Sequence, residues 1–357
     1  MAQLTKEQFC DYVKDHVLGF LPPSFEGAEV MVKVVTKAND VKLTGMTIRR
    51  EGEIIAPNIY LESFYDRYKN GSDLDKLVGD VADTRIEYNR DDFPIGVENL
   101  QKYDAIKPYL QIRLCDPETN KDRLDGLIST PVGDYTATYI VKLQDSDERF
   151  GTISVTPQLL NMWGVTAEQL HADALAADEA RTPVLSPVME VLMQMTQGGE
   201  PKNLLKGDVP EPDGLFGMNL YCLSVDDKTY GASLYANPNV MEQVGNALGE
   251  NYFVLPSSIH ELMIVPESSG IPASELEAMV MEINENEVLP EEVLSNKVHF
   301  YDRETGVLVN AVKREQEMEQ ALRRPSLAEQ LAQKKDEVRN RPSKTEHTKP
   351  RDAVSLG

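Results

Sequence analysis

Hydrophobic periodicity switches from helical to extended within the first fifty residues, and this switch restricts the fold more than any other feature. Over residues 4–21, Leu4, Phe9, Tyr12, Val13, His16, Val17 and Phe20 recur at spacings near three and four, the pattern of an amphipathic helix, and Pro22-Pro23 ends it. Two β-rich runs follow, 29–36 and 41–49, joined by Lys37-Ala38-Asn39-Asp40, whose Asn and Asp tolerate turn conformations. A helix followed directly by a hairpin departs from a repeating strand–helix–strand order. No strand-like run opens into a Gly-rich helix start, and neither G-x-G-x-x-G nor G-x-x-x-x-G-K-[ST] occurs, so a nucleotide-binding βαβ fold is not indicated. The expectation is α+β, with mixed or antiparallel sheets, packed helices and a helical C-terminal tail.

The remaining pattern fits that class. Residues 59–68 and 73–88 read as helices parted by Asn70-Gly71, with Asp73 as an N-cap. Strand patterns occupy 110–114, 135–143 and 151–156, and helical patterns 157–177 and 186–196. Beyond these, 215–225, 252–255 and 261–265 read as strands, 238–248 and 273–286 as helices, and 298–301 with 307–310 as a short hairpin. The Gly/Pro-rich stretch 198–214 parts an N-terminal region, 1–197, from a C-terminal region, 215–312, either as a linker or as a mobile loop within one domain.

Charge is divided along the chain. The whole carries 59 Asp plus Glu against 36 Lys plus Arg, a formal charge of -23, which opposes direct attachment to nucleic acid or anionic lipid. Residues 313–357 hold 11 basic and 8 acidic side chains, net +3, so the preceding 312 residues carry -26. Within this tail, 313–341 is helix-prone and 342–357 too polar to order. Pro325 interrupts the helix, and Ser326-Leu327-Ala328-Glu329 has the form of a capping box that restarts it. Leu327, Leu331 and Val338 then lie near one stripe, able to dock on a protein partner. No apolar run approaches the ~18 residues of a membrane span, and the N-terminus lacks a signal layout, so a cytoplasmic location is expected. The three cysteines, Cys10, Cys115 and Cys222, are too few and too dispersed for a disulfide framework or a zinc cluster and read as buried small hydrophobes.

The phrases IRREGEIIAPNIYLESFYDRYKNG, ISVTPQLLNMWGVTAEQLHADA, NYFVLPSSIHELMIVPESS and VMEINENEVLPEEVLSNKVHFYDRETG carry a resemblance. They resemble a family of Gram-positive gut bacteria known only as a domain of unknown function, over roughly residues 1–310. The resemblance implies a setting near conjugative elements, and RRPSLAEQLAQKKDEV resembles helical tails on other proteins of such elements. It implies no catalytic residue.

Two clusters carry candidate chemistry. Ser257-Ser258-Ile259-His260-Glu261 groups hydroxyl, imidazole and carboxylate, the types that nucleophilic hydrolysis combines, with Ser258, His260 and Glu261 as the weak catalytic candidates. Against this, triads are assembled from distant segments and the G-x-S-x-G elbow is absent, so a structural turn is the alternative. Glu168 and His171 share a helix face and could contribute to a metal site, though H-E-x-x-H is missing and a solvated helix face explains them as well. Trp163 reads as a core residue or the mark of a pocket. No cofactor is indicated.

Three functions remain open. The first is a non-catalytic binding or accessory protein that recruits a partner through its tail, the second a hydrolase centred on 257–261, and the third an acidic mimic of nucleic acid. The charge division favours the first.

Overall fold

A computed structural model of the chain describes residues 3–53, 56–88, 99–143, 151–199, 201–207, 219–323 and 334–336. The chain forms two units, Met1–Ala311 and Val312–Gly357. In the first unit, α1 (Lys6–His16) opens with a capping box in which the Thr5 hydroxyl accepts from the Gln8 amide and the Gln8 side chain accepts from the Thr5 amide. The expected hairpin follows as β1 (Glu29–Thr36) and β2 (Lys42–Arg49), paired antiparallel from Glu29 opposite Arg49 to Thr36 opposite Lys42. A third strand, β3 (Asn58–Tyr60), adds to β2.

The helix expected from residue 59 therefore starts later, as α2 (Glu62–Lys69), because the backbone of 58–60 is committed to the sheet. Next comes α3 (Leu74–Glu87), capped by the Asp73 carboxylate on the Lys76 amide. Phe9, Val13, Met46, Ile48, Leu61, Leu77 and Val81, all at or near zero exposure, close one core between helices and sheet.

A second core begins with α4 (Tyr103–Ile106), β4 (Leu110–Cys115), α5 (Lys121–Leu124), β5 (Ser129–Val132), β6 (Tyr135–Lys142) and β7 (Thr152–Ser154). These strands make a four-stranded sheet with β6 flanked by β4 and β5, and with β7 also pairing β6. The helical pattern 157–177 is two helices, α6 (Pro157–Trp163) and α7 (Ala167–Ala180). Gly164, at φ 68°, ends α6 in the left-handed conformation, and Thr166 caps α7. Then follow β8 (Pro183–Pro187), α8 (Val188–Gln197), β9 (Tyr221–Val225), α9 (Pro238–Leu248), β10 (Tyr252–Leu255), β11 (Leu262–Pro266), α10 (Ala273–Asn286), β12 (His299–Asp302) and β13 (Val307–Asn310). They build a six-stranded sheet of order β13-β12-β10-β11-β9-β8, and every described strand pair in the protein is antiparallel. β8 and β9 are neighbours, with Leu185 opposite Leu223, and of the Gly/Pro-rich stretch 198–214 that precedes β9 in sequence, residues 200 and 208–214 lie outside the described residues. Ile112, Tyr139, Leu170, Leu223, Leu234, Val254 and Ile264 belong to one apolar cluster that spans the four- and six-stranded sheets.

In the second unit, α11 (Ala311–Arg323) carries Met318 and Leu322 exposed. The expected capping box at Ser326 and the stripe of Leu327, Leu331 and Val338 lie outside the described residues. Among the described residues, no helix is long and apolar enough to cross a membrane.

The smaller core encloses the charge of Arg85. Arg85 on α3 is fully buried, and its Nε donates to the Ile48 carbonyl at 2.8 Å while Nη2 donates to both Glu53 oxygens at 2.6 and 2.7 Å. Its guanidinium lies 4.8 Å from the centre of the Phe25 ring. Burial pushes the Glu53 carboxyl up, but the Arg50 amide and Arg85 outweigh burial and hold it below the ordinary carboxylate range. The stabilisation is thus complete above the unfolded value and is lost as pH falls through the lower folded value. Glu53→Ala leaves the guanidinium without its counter-ion and should cost about 3–5 kcal/mol at pH 7. Urea denaturation measures this, and a loss below about 1 kcal/mol, the range of an exposed pair, would contradict the account.

Candidate functional site

Among the described residues, the turn between β1 and β2 makes the side-chain hydrogen bond of greatest sequence separation. Asn39 and Asp40 both adopt positive φ, 55° and 52°, which a tight hairpin uses and short polar side chains tolerate. This geometry aims Asn39 at two distant segments. Its amide donates to Asn120 Oδ1 at 2.8 Å, and its side-chain Nδ2 donates to the carbonyls of Pro290 and Val293, both at 2.7 Å. Its Oδ1 accepts from Thr119 Oγ1 and Asn120 Nδ2. Asp40 completes the clamp by accepting the amides of Asp122 and Arg123, so the first turn of α5 is held by a carboxylate from another element.

The segment held by Asn39 is the one against which the 257–261 turn is built. Ile259 donates its amide to the Glu292 carbonyl, Leu294 donates to Ser257, and Ser258 bridges Val293. Ser258 is 5% exposed, and its hydroxyl accepts the His260 amide at 3.0 Å. That is a local turn bond. The imidazole of His260 points elsewhere. Nδ1 accepts from the Tyr230 amide at 3.2 Å, which puts the proton of the neutral ring on Nε2, and Nε2 faces Glu292 Oε1 at 3.6 Å. Among the described residues, neither ring nitrogen is hydrogen-bonded to the Ser258 hydroxyl. Burial raises the Glu261 carboxyl, offset in part by Ser258 and by His260.

Tyr230 gives the site its shape. It holds the left-handed conformation, φ 53° and ψ 31°, and its ring stacks on His260 with centroids 5.3 Å apart and planes 21° apart. The residue after it must be glycine. A Cβ on Gly231 would lie 2.3 Å from Ser224 Oγ and 2.6 Å from the His260 carbonyl, the pair that already bond each other at 2.8 Å. From β4, the Arg113 guanidinium lies 5.2 Å from the centre of the Tyr230 ring and donates to the Glu291 carbonyl at 3.2 Å. Arg113, Tyr230, His260 and Glu292 therefore converge from four separate stretches of chain.

The other candidates are drawn apart. Glu168 is exposed in the first turn of α7, and its carboxyl is lowered by its own backbone amide and Thr166, groups of the helix start. His171, three residues on, turns to the Tyr139 hydroxyl at 2.8 Å, and burial lowers its pKa. Among the described residues, no group of three His, Cys, Asp or Glu is arranged to hold a metal ion. All three cysteines are free thiols, and burial pushes them up, Cys115 to about 11 and Cys222 to about 12. Trp163 packs against Tyr103 and donates its indole N–H to the Leu100 carbonyl at 2.8 Å.

A carboxylate–imidazole–hydroxyl line does occur, at a place that sequence spacing hides. His299 Nε2 meets Asp134 Oδ2 at 3.1 Å and Nδ1 meets the Tyr135 hydroxyl at 3.3 Å, the single proton of that hydroxyl being also within 3.3 Å reach of the Lys297 carbonyl. Beside it, Ser295 and Lys297 share Asp116. Tyr135 and His299 are each 1% exposed, so the line joins the two sheets and offers no hydroxyl to a substrate. The partners are 165 residues apart and no motif links them.

The model of the Family of unknown function (DUF5688) matches residues 6–303, the span over which the resemblance was expected. No curated protein and no solved structure matches the chain.

Two outcomes follow from this geometry. Asn39→Gly keeps the positive φ and removes only the side-chain bonds, at a cost of about 2–3 kcal/mol. Asn39→Ala adds the left-handed penalty of about 1–2 kcal/mol. Urea denaturation of both variants checks the order, and equal stability of all three proteins would refute the clamp. Burial lowers the pKa of His299, with Asp134 opposing, and burial alone lowers that of His171, so in this range the unfolded chain binds protons that the folded one refuses. Stability should therefore fall as pH drops below about 6.5, the ordinary histidine value, through the lower folded values. His299→Gln should flatten that slope between about pH 6.5 and 5, a window set by the same values. An unchanged slope would contradict the assignment.

Proposed function

We propose, on the premise that this chain belongs to the DUF5688 family, that the protein is a non-catalytic binding or accessory protein, with a fixed recognition surface on its body and a basic tail that recruits a partner. The observation that carries this reading is the commitment of the 257–261 turn to holding backbone. Nucleophilic hydrolysis requires a base within hydrogen-bond reach of the attacking hydroxyl. Here the Ser258 hydroxyl accepts the His260 amide, and the imidazole serves the Tyr230 amide and Glu292. Groups that fix one conformation this fully suit recognition, where a preorganised surface lowers the entropic cost of binding.

The division of charge supports a separate role for the tail, which is net +3 beside a body of -26. In this reading Leu327, Leu331 and Val338 supply the apolar contact to a protein partner. In the same reading the partner is a protein of mobile elements, a proposal that rests on the resemblance of RRPSLAEQLAQKKDEV to tails of conjugative-element proteins. Free cysteines at 10, 115 and 222 suit the reducing cytoplasm.

A serine-directed fluorophosphonate probe applied to the full-length protein should label nothing that Ser258→Ala removes. Labelling that disappears in Ser258→Ala would overturn the reading in favour of a hydrolase. For the tail, Leu327→Glu combined with Leu331→Glu in the full chain should reduce partner capture from the native host by about tenfold, the loss that about 1.4 kcal/mol of contact energy produces. Undiminished capture would separate the tail from recruitment.

A further inference from the structure

Arg85, Arg113, Arg123 and Arg181 each keep one enclosed nitrogen without a hydrogen-bond partner, but among the described residues only Arg85 and Arg181 are paired with carboxylates. Arg85 is matched by Glu53, and Arg181 is matched by Asp178, Asp227 and the Thr229 carbonyl. Arg123, on the short helix α5, is 9% exposed, yet its Nη1 is wholly enclosed with no hydrogen-bond partner, and among the described residues no ion pair reaches the guanidinium. Arg113 is close by on β4. Its Nη2 is bonded to Glu291, but its Nε is also enclosed without a partner. An enclosed guanidinium N–H with neither anion nor acceptor is costly, so Arg123 without a counter-ion, beside a half-buried Arg113 that has one carbonyl and no carboxylate, marks a place where an anion belongs.

The neighbouring groups do not supply that acceptor. Both oxygens of Asp40 are taken by the amides of Asp122 and Arg123, Asp116 is paired with Lys297, and Glu292 faces His260. Cys115 lies within the field of both arginines, but burial holds its thiol neutral and it donates to the Thr136 carbonyl. Burial, and then the charge of Arg113, lower Arg123 to about 10, which still leaves it cationic at neutral pH.

We infer that Arg113 and Arg123, with Tyr230 as their common neighbour, form a binding site for a tetrahedral oxyanion, a phosphate ion or a phosphoryl group. Charge and geometry select that class. Two guanidinium groups are balanced by a dianion, and donors arriving from a strand and from a helix suit a tetrahedral anion better than a planar carboxylate, which a single guanidinium fork saturates. The Tyr230 ring beneath Arg113 holds that guanidinium in place, and the Asp40 clamp fixes the backbone that carries Arg123. The site goes beyond the tail-recruitment reading. It lies on the body, and its failure would leave partner capture by the tail unaffected.

The test is a titration of the full-length protein with inorganic phosphate at constant ionic strength set by chloride, followed by calorimetry and by thermal unfolding. The wild type should bind saturably, with Tm rising by about 3 °C at ten times Kd. Arg123→Met and Arg113→Gln should each abolish the phosphate-specific rise. In phosphate-free buffer Arg123→Met should melt no lower than wild type, because the change removes a charge that lacks its counter-ion. Should Arg123→Met not fold, Arg123→Lys, which keeps the charge and loses the fork, is expected to bind about tenfold more weakly. No phosphate-specific response in the wild type, or a response retained in the arginine variants, would overturn the assignment. Phenyl phosphate in a parallel titration separates the sources. Tighter binding than inorganic phosphate assigns a phosphoryl group carried on a larger molecule, weaker binding assigns the free ion, and no binding of either refutes the site.

Discussion

The hydrogen bonds of Asn39 hold together parts of the chain that nothing local would join. One side chain in a three-residue turn reaches residues 119–120 and residues 290–293, contacts 81 and 254 positions apart in sequence for Asn120 and Val293. Closing loops of that size is entropically unfavourable, and the apolar clusters bear most of that opposition. What Asn39 adds is direction. Its amide has two donors and one acceptor oxygen, all engaged, so the segment 289–295 can settle in one register against the hairpin and in no neighbouring one.

Everything described around His260 follows from that register. The carbonyl of Glu292 receives the Ile259 amide, the carbonyl of Glu291 receives Arg113, and the carboxylate of Glu292 stands opposite the imidazole. Tyr230 is then held in a left-handed conformation that bulky residues rarely adopt, stabilised by its amide bond to His260 and by the absence of a side chain on Gly231. A strained residue that is determined from several sides is a usual feature of recognition sites, because rigidity keeps the ordering cost out of the binding step. Buried charge makes the same point. Arg85 and Arg181 are paired with carboxylates, whereas Arg113 and Arg123, among the described residues, keep enclosed N–H groups without a counter-ion near the Asn39 clamp.

Much of the architecture was legible in the order of residues. The hairpin at 29–36 and 41–49, the helices at 238–248 and 273–286 and the closing hairpin near 299–310 each occupy the span that their periodicity predicts, because local pattern and tertiary burial agree there. Differences arose where a backbone was claimed by a distant partner. Ile59 carries helical spacing yet joins β2, residues 183–187 become a strand because β9 lies beside them, and Gly164 divides one helical pattern in two. The candidate site was half visible. Ser258, His260 and Glu261 were conspicuous as neighbours in sequence, but adjacency gave no measure of where their side chains point. Arg113, Arg123, Tyr230 and Glu292 carried no signal, since an arginine on a strand and one in a short helix look like ordinary surface charge until burial is known.

The sequence by itself determined the class of the fold, the antiparallel hairpins, the cap at Asp73 and the division between an acidic body and a basic tail. These depend on interactions spanning a few residues, or on composition alone, and so can be read along the chain. Only the tertiary structure decided that His260 serves the Tyr230 amide, that His299 rather than His260 stands between a carboxylate and a hydroxyl, and that, among the described residues, Arg113 lies over the Tyr230 ring while Arg123 is enclosed without a counter-ion. The physical reason is that hydrogen-bond direction and desolvation are set by which distant segments share a volume. Side chains identical in sequence terms thus become cap, relay or unmatched cation according to what the rest of the fold places around them.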